Sequence, residues 1–292
     1  MKNVSQYDFW VKMASRAAMA TALTLITIKL IAWQYSGSAS MLASLTDSFA
    51  DGLASLVNFI AIRYAIAPAD DDHRYGHGKA EPLAALAQSA FILGSAVLLL
   101  LHGVDRLLDP VPVEKPMVGI IVSVIAIVLT FALVLLQRRA LAKTNSTVIA
   151  ADALHYRSDL LLNAGVLIAL VLAQQGFIWA DGLFALLIAL YIGLQAIELG
   201  HESIQSLLDR EVDDDLRDKV IALIEQDPDI YGYHDLRTRQ AGKMTFIQVH
   251  LELDGSLTLN QSHAIADQFE REVHAAFEHV EIIVHQDPAL YA

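Results

Sequence analysis

The feature that most constrains this chain is a series of long apolar segments in its first two-thirds. A helix needs about 20 mostly apolar residues to cross roughly 30 Å of hydrocarbon. Six segments meet this requirement, and each is predicted to be a membrane-spanning helix: 11–33, 40–66, 80–101, 116–136, 147–173 and 178–199. The sequence therefore predicts a mainly α multi-pass membrane protein with six transmembrane helices.

Charge divides the chain into two parts. Residues 1–208 carry 15 acidic and 13 basic side chains, a net of −2, whereas residues 209–292 carry 18 acidic and 7 basic, a net of −11. We predict a transmembrane domain over 1–208 and a polar domain over 209–292. The acidic balance argues against nucleic-acid binding, which requires a basic face. The chain has no cysteine, so a metal site must use His, Asp or Glu.

The Lys and Arg residues in the short connections predict the orientation in the membrane. The N-terminus and the connections after the second and fourth segments hold nine of them: Lys2, Lys12, Arg16, Arg63, Arg74, Lys79, Arg138, Arg139 and Lys143. The opposite side holds only Arg106 and Lys115. Both termini are therefore expected in the cytoplasm. The N-terminus lacks the features of a cleaved signal peptide, so the first segment is expected to remain in the mature protein.

The polar part reads as a small α+β domain. An acidic start favours a helix over 213–226, because carboxylates are stabilised at a helix N-terminus. Strands are expected over 234–240 and 245–254, joined by a hairpin at 241–243. A helix over 259–277 and a last strand over 280–285 complete the order helix–strand–strand–helix–strand, a small open-faced sandwich.

Ionisable side chains inside the predicted spans are the first candidates for function, because a charge there is costly unless it is paired, hydrated or metal-bound. Asp47 and Asp51 are spaced i,i+4 on the second segment and share a helical face. Asp152, His155 and Asp159 also fall on one face of the fifth. Asp152 lies nearer the cytoplasmic end, where it could simply face water at the mouth.

The depths of the two faces agree. Asp51 lies roughly 16 Å below the outer end of its segment, and Asp159 lies roughly 18 Å from the cytoplasmic end of its own. Three carboxylates (Asp47, Asp51, Asp159) and the His155 imidazole would make a closed four-ligand shell with the tetrahedral geometry that Zn²⁺ prefers. The alternatives are scattered interhelical hydrogen bonds or a proton path without metal.

Two further clusters lie outside the spans. Asp70, His73 and His77 could converge on one ion in the second-to-third connection, although the residues alone favour a solvated charged loop. The terminal domain holds six histidines, of which His274 and His279 are expected at the surface. The candidate ligands there are His234 and His250, on the two earlier predicted strands, and His285 and Asp287, which project to the same side of an extended segment.

The motifs described above resemble those of a known family. The six spans and three motifs are similar to those of the cation diffusion facilitators, and the likeness covers nearly the whole chain. The motifs are Asp47-Ser-Phe-Ala-Asp51, Asp152-Ala-Leu-His155-Tyr-Arg-Ser-Asp159 and Asp72-His-Arg-Tyr-Gly-His-Gly-Lys-Ala-Glu-Pro-Leu-Ala-Ala-Leu. The likeness is greatest to the bacterial YiiP-type branch, the zinc and ferrous-iron efflux transporters, because Asp rather than His stands at the first ligand position of the second span.

The resemblance implies a fold, a ligand set and an assembly. The cytoplasmic domain would be metallochaperone-like, and the protein would be a homodimer in the bacterial inner membrane that exchanges a divalent cation for protons. The transport site would use Asp47, Asp51, His155 and Asp159. A separate loop site would use Asp70, His73 and His77, although Asp71 or Asp72 could take the role of Asp70. A binuclear cytoplasmic site maps onto His234, His250, His263, His285 and Asp287, with Asp287 as a bridge. Lys79 and Asp209 match an ion pair that helps hold the dimer together, and Leu154 matches a residue of the hydrophobic gate.

The expected mechanism is proton-coupled efflux by alternating access. Metal ligation needs ionised carboxylates and a neutral imidazole, so protonation releases metal. His155 is the expected proton exchanger, helped by a carboxylate such as Asp51. Zn²⁺ ranks first as substrate, followed by Fe²⁺ and Cd²⁺ and then Mn²⁺. The terminal sites would hold structural or regulatory metal, and no separate cofactor is expected.

Other functions fit the residues less well. An intramembrane metal-dependent hydrolase needs an open coordination position and a catalytic base, and the chain has no His-Glu-x-x-His on a span. A membrane-anchored metal sensor would have no use for paired acids at the midplane. In a channel, a tight four-ligand site would release ions too slowly for high conduction. The direction of transport is a separate question, because import and export both fit the residues. The sequence thus predicts a transporter and not an enzyme.

Overall fold

The structure is a computed structural model that describes residues 6–36, 39–108, 117–175, 177 and 179–289. Its contacts divide the chain into two compact units, Met1–Ile204 and Gln205–Ala292. This division falls close to the predicted boundary at 208/209, which stays a prediction.

The first unit is built from six long helices, in agreement with the predicted fold class. They are α1 (Gln6–Ser36), α2 (Ala39–Ala65), α3 (Ala80–Leu108), α4 (Met117–Thr144), α5 (Thr147–Gln174) and α6 (Ala180–Leu207). The predicted starts of the fourth and sixth spans, Pro116 and Ile178, lie outside the described residues. Within the described residues, α1, α2, α3, α4 and α6 are long and apolar enough to cross a membrane.

The helix α5 is as long as its neighbours but carries three charged side chains in its first half, Asp152, Arg157 and Asp159. It packs against α3 and α4, with smaller contacts to α2 and α1. Because α1 also packs on α2 and α4, Asp152 and Asp159 lie among helices, whereas Arg157 is exposed and donates to the Tyr191 hydroxyl at 2.9 Å. This arrangement places the α5 acids where α2 can reach them.

The helices α3 and α6 approach closely through two glycines. A side chain at Gly182 would come within 2.8 Å of the Leu107 backbone nitrogen and 2.9 Å of the Gly103 carbonyl oxygen. A side chain at Gly103 would meet the Leu186 backbone at 3.0 Å. Small residues at such a crossing let two backbones touch, which is how helices gain packing contacts in a membrane.

The second unit has the predicted order of elements. It contains α7 (Asp214–Gln226), β1 (Gly232–Ala241), β2 (Met244–Leu253), α8 (Leu259–Ala276) and β3 (Val280–Pro288). The sheet order is β1-β2-β3, with β1 antiparallel and β3 parallel to β2. The turn between β1 and β2 uses Gly242 at φ 58°, a left-handed conformation that glycine adopts without strain.

One face of this sheet is covered and the other is open. Alternate residues of β2, including Val249 and Leu251, are fully buried against Val220 of α7 and Phe269 of α8. The intervening residues of β2, including His250, therefore point to the opposite face, because successive side chains in a strand alternate. The predicted open-faced sandwich is thus confirmed, and its open face carries the polar candidates.

Candidate metal centres

The structure brings three of the predicted transport-site residues together. His155 Nε2 lies 3.0 Å from Asp51 Oδ1 and 3.6 Å from Asp159 Oδ2. One potential ligand atom from each of the three residues lies within 4.8 Å of the others, and the His155 side chain is only 8% exposed. Two carboxylates and one imidazole so placed form a credible divalent-cation site without any further rearrangement of the helices. We call this set, Asp51, His155 and Asp159, the membrane cluster.

Asp47 lies one turn away from Asp51 on α2 and is more exposed. It does not belong to the membrane cluster, although it interacts electrostatically with Asp51 and Asp159. Its predicted role as the fourth ligand therefore requires a side-chain movement and stays a prediction.

Sequence reasoning missed Lys29, a cation inside α1. Its ammonium donates to Ser48 Oγ at 2.6 Å and to the Ser44 carbonyl oxygen at 3.1 Å. The signal was present in the sequence, because an ionisable residue inside a spanning segment is a functional candidate by default.

Asp152 does not face water, which corrects one of the expectations. The residue is 5% exposed and accepts hydrogen bonds from Asn58 Nδ2 at 3.0 Å and Gln137 Nε2 at 2.6 Å. Among the described residues, no hydrogen-bond partner reaches the buried amide oxygens of Asn58 and Gln137. Asp152 is thus held by two amides from α2 and α4, because a carboxylate at this depth needs donors from its neighbours.

Two neighbours of His155 on α5 are buried. The Tyr156 hydroxyl is hydrogen-bonded to Ser55 Oγ at 2.8 Å, which joins α5 to α2 beside the membrane cluster. Leu154, the predicted gate residue, is 7% exposed and packs with Ile92 of α3 and Ile192 of α6. Its role in gating stays a prediction.

The connection between α2 and α3 folds back on itself and gathers a second cluster. Asp70 Oδ1 lies 3.3 Å from His73 Nδ1, and Asp70 Oδ2 lies 3.3 Å from His77 Nε2. The backbone N–H of His73 donates to Asp70 at 2.7 Å, and this hydrogen bond holds the pKa of the Asp70 carboxyl below its usual value. Asp71 instead pairs with Arg74 at 2.9 Å. We call Asp70, His73 and His77 the loop cluster.

The geometry separates the three consecutive aspartates that the sequence left open. Asp70 alone has both carboxylate oxygens directed at imidazoles, and its anionic form is favoured by the turn that it caps. An ionised carboxylate beside two histidines is a suitable donor set for Zn²⁺. Asp70 as a metal ligand stays a prediction, with a solvated loop as the alternative, whereas Asp71 is engaged by Arg74.

The third cluster lies in a row across the open face of the terminal sheet. His234 is paired with His250 on β2, and His250 is paired with His285 on β3, so the three imidazoles are adjacent in register. Asp287 Oδ2 lies 2.9 Å from His250 Nδ1 and 3.3 Å from His234 Nε2, while Asp287 Oδ1 lies 3.3 Å from His285 Nε2. We call these four residues the sheet cluster.

Asp287 occupies the centre of the sheet cluster, as its predicted bridging role requires. The hydrogen bond with His250 and the nearby histidines hold the pKa of the Asp287 carboxyl below its usual value. Glu252 approaches the edge of the cluster, with Oε1 3.1 Å from His234 Nδ1, a contact that sequence reasoning missed. The antiparallel register, which pairs Gly232 with Glu252, is what places this carboxylate there.

His263 and Asp209 each have a close partner within their own unit. His263 lies on α8 with its Nε2 3.7 Å from Asp267 Oδ1 and does not join the sheet cluster. Asp209 lies 3.5 Å from Arg239 Nη1 in its own unit. The binuclear role of His263 and the Lys79–Asp209 ion pair both concern an assembled dimer and stay predictions.

Comparison with known proteins accounts for both units. Residues 15–208 match the cation efflux transmembrane domain, and residues 212–289 match the cytoplasmic domain of cation efflux proteins. The chain belongs to the cation efflux family. Family membership confirms the resemblance that the motifs indicated and the prediction of a membrane transporter rather than an enzyme.

Individual members of the cation efflux family are similar over almost their full length. The chain is 70% identical over 288 residues to the cation-efflux pump FieF of Shewanella oneidensis, covering 99% of this chain and 97% of that protein. It is 49% identical over 282 residues to the cation-efflux pump FieF of Escherichia fergusonii, covering 97% and 94%. Among solved structures, the metal-bound C-terminal domain of the CzcD transporter from Thermotoga maritima is 25% identical over 25% of this chain and 87% of its own, with a TM-score of 0.25.

Proposed function

We propose that the chain is a proton-coupled efflux antiporter for a divalent metal cation. The observation that carries this proposal is the membrane cluster, in which two carboxylates and an imidazole from α2 and α5 lie within 4.8 Å of one another. Such groups inside spans are retained where they bind or relay ions. Zn²⁺ is the preferred substrate in this proposal, followed by Fe²⁺ and Cd²⁺ and then by Mn²⁺.

The donor set supports this ranking. Imidazole and carboxylate suit Zn²⁺, and Cd²⁺ can imitate it, whereas a site that is mostly oxygen also tolerates Fe²⁺ and Mn²⁺. Asp47 would complete a four-ligand shell by turning toward Asp51 from the adjacent helical turn. A site completed by one mobile ligand can be closed in one conformation and opened in another, as transport requires.

Proton coupling follows from competition for the same atoms. A metal ion needs the ionised forms of Asp51 and Asp159 and the neutral form of His155, so protons arriving from one side displace the metal. His155 Nε2 lies 3.0 Å from Asp51 Oδ1, so a proton can be held between the two groups. We assign His155 and Asp51 as the proton-coupling pair.

Several features support export across the bacterial inner membrane with both termini in the cytoplasm. The excess of Lys and Arg near the N-terminus and in the α2–α3 and α4–α5 connections is typical of the cytoplasmic side. The Shewanella and Escherichia relatives are named efflux pumps. Alternating access around a fixed site near the midplane would then carry metal outward as protons move inward.

We assign the sheet cluster to regulation or dimer stabilisation rather than transport. Its residues fit a metal: His234, His250 and His285 offer imidazole nitrogens around Asp287, and the donor set contains no group that would reject Zn²⁺. A cation there would neutralise part of a domain with a net charge of −11 and let two copies of it approach. The protein would accordingly work as a homodimer.

The test is metal uptake into proteoliposomes that contain the full chain, with an imposed pH gradient. We expect Zn²⁺ flux to follow the gradient, with proton counterflow, and to be lost in Asp51→Ala. The matched control is Asp105→Ala, which removes an exposed carboxylate near the end of α3, outside the three clusters. Flux that survives Asp51→Ala would move the transport path elsewhere, and metal binding without flux would favour a sensor.

A further inference from the structure

A lysine lies inside the membrane unit beside the membrane cluster. Lys29 is in the C-terminal half of α1, six residues before Tyr35, where the candidate membrane span of that helix ends. Its ammonium is directed at α2, donating to Ser48 Oγ at 2.6 Å and to the Ser44 carbonyl oxygen at 3.1 Å. A charge at such a position is unfavourable unless it is compensated, so its neighbours indicate its role.

The two acceptors that hold Lys29 are both neutral. Ser48 is 2% exposed, and the backbone carbonyl of Ser44 bears no formal charge, so hydrogen bonding positions the ammonium without neutralising it. The compensating charges are the carboxylates of Asp47, Asp51 and Asp159, each of which interacts electrostatically with Lys29. The lysine is thus anchored by one set of groups and attracted by another.

This arrangement differs from an ordinary salt bridge. An ammonium directly bonded to a ligand carboxylate would block the metal, whereas Lys29 is held by serines on either side of Asp47 and leaves the carboxylate oxygens of the membrane cluster free to face one another. Its charge therefore acts on the site in every metal-binding state. It stabilises ionised carboxylates when metal is absent and repels a dication when metal is present.

We propose that Lys29 is a fixed counter-cation of the transport site, which lowers the affinity for the dication and so speeds its release. The inference rests on the proposed transport function of the membrane cluster. Lys29 is a positioning residue and not a ligand, because it contributes charge from outside the group of atoms that would hold the metal. A transporter gains from this effect, since a site that binds too tightly cannot turn over.

The experiment compares KM and the maximal rate of Zn²⁺ uptake in proteoliposomes for four variants of the full chain. Lys29→Gln removes the charge but retains a donor for the two serine acceptors, and Lys29→Met removes both. Lys29→Arg retains the charge, and Ser48→Ala removes one anchor while leaving the lysine. We expect KM to fall about tenfold in the Gln and Met variants, together with a lower maximal rate, because a unit charge near a dication has an effect of this order.

The Arg variant should keep KM within about threefold of the original chain, since tenfold corresponds to a whole charge interaction. An unchanged or higher KM in both neutral variants would overturn the inference. So would a normal KM in Lys29→Gln with a defect confined to Lys29→Met and Ser48→Ala, because that pattern describes a tether between α1 and α2. Asp51→Ala is measured in parallel. If the Asp51→Ala variant has normal flux, the proposed transport site is wrong and the inference about Lys29 fails with it. If Asp51→Ala loses flux but KM is unchanged in the Lys29 variants, the inference about Lys29 alone is wrong.

Discussion

The membrane cluster and the sheet cluster use the same side chains in opposite surroundings. In the membrane unit, the His155 side chain is 8% exposed. The nearby Asp152 carboxylate is held by an amide, and Lys29 supplies a positive charge that the protein itself positions. On the terminal sheet, His234 is 47% exposed, and water can solvate whatever charge the cluster carries. The charge of a buried site must be balanced by protein groups in every state, whereas an exposed site needs only its ligands because water solvates its charge.

The first and largest expected effect comes from the same substitution made in each region. His155→Ala should lower Zn²⁺ flux by at least about 100-fold, because removal of even an outer-shell partner lowers metal affinity by about 10 to 100-fold. His234→Ala should leave flux within a few-fold of the original chain while reducing metal-dependent dimer stability. Flux in proteoliposomes and dimer dissociation measured by analytical ultracentrifugation in detergent test the two halves.

The control for both is His201→Ala, which removes an exposed histidine of α6 that belongs to none of the three clusters. Complete loss of flux in His234→Ala while the protein is still dimeric would contradict the division of roles. Equal loss of dimer stability in all three variants would show that the sheet cluster has no special part in assembly.

A second comparison concerns neighbouring aspartates in the α2–α3 connection. Asp70→Ala should remove one high-affinity Zn²⁺ equivalent, with a local affinity loss of about 10 to 100-fold or more, because its carboxylate lies 3.3 Å from both His73 and His77. Asp71→Ala should leave the stoichiometry unchanged, since that carboxylate pairs with Arg74. Competitive titration of the full chain with a chromophoric chelator counts the sites, and equal losses in the two variants would refute the assignment of Asp70.

The sequence predicted the elements well and the partners less well. Hydropathy located the helices, because a run of apolar residues long enough to cross a bilayer has few other stable folds. Periodicity located Asp51, His155 and Asp159, since residues spaced i,i+4 share a face in any helix. These are local rules, and they need no knowledge of which helices touch.

What the sequence could not predict depends on contacts between elements. Asn58 and Gln137 are ordinary amides in sequence, and only the packing of α2 and α4 on α5 shows that they hold Asp152. The row of histidines on the sheet depends on strand register, which a shift of one residue would reverse. Averaged hydropathy also concealed Lys29, because one charge among many apolar residues barely changes the mean.

A third prediction tests the buried network against an exposed pair of the same chemistry. Gln137→Leu should destabilise the membrane unit by about 1–3 kcal/mol, because Asp152 Oδ2 loses its donor inside the protein. Gln268→Leu removes a similar amide from Glu272 on the exposed face of α8, and it should change stability by less than about 0.5 kcal/mol. Hydrogen–deuterium exchange of α5 and α8 reports on each unit separately.

The double variant Gln137→Leu with Asp152→Leu completes the cycle. The double variant removes the unsatisfied carboxylate but leaves the Asn58 amide without its acceptor, so it should restore only part of the protection lost in the single variant. Additive losses in the double variant would mean that packing, rather than the hydrogen bond, accounts for the effect.

The smallest expected effect is the pH dependence of the metal-free sheet cluster. The hydrogen bond with His250 and the neighbouring histidines lower the pKa of Asp287 in the folded state. A carboxyl of this kind stabilises the fold above its unfolded pKa of about 4, and that contribution is lost as the pH falls through the lower folded pKa. Asp287→Asn should therefore flatten the acid side of the stability curve in the presence of a chelator, without changing stability near neutral pH by more than a surface interaction would.

The measurement is hydrogen–deuterium exchange of β2 and β3 between pH 3 and pH 6, with intrinsic exchange rates corrected for pH, and Asp254→Asn is the comparison. The Asp254 pKa is also lowered, in its case first by the backbone N–H of Ser256, so its replacement should flatten the curve too but leave metal binding intact. If Asp287→Asn retains both the acid dependence and the metal site, the carboxylate is not the centre of the sheet cluster.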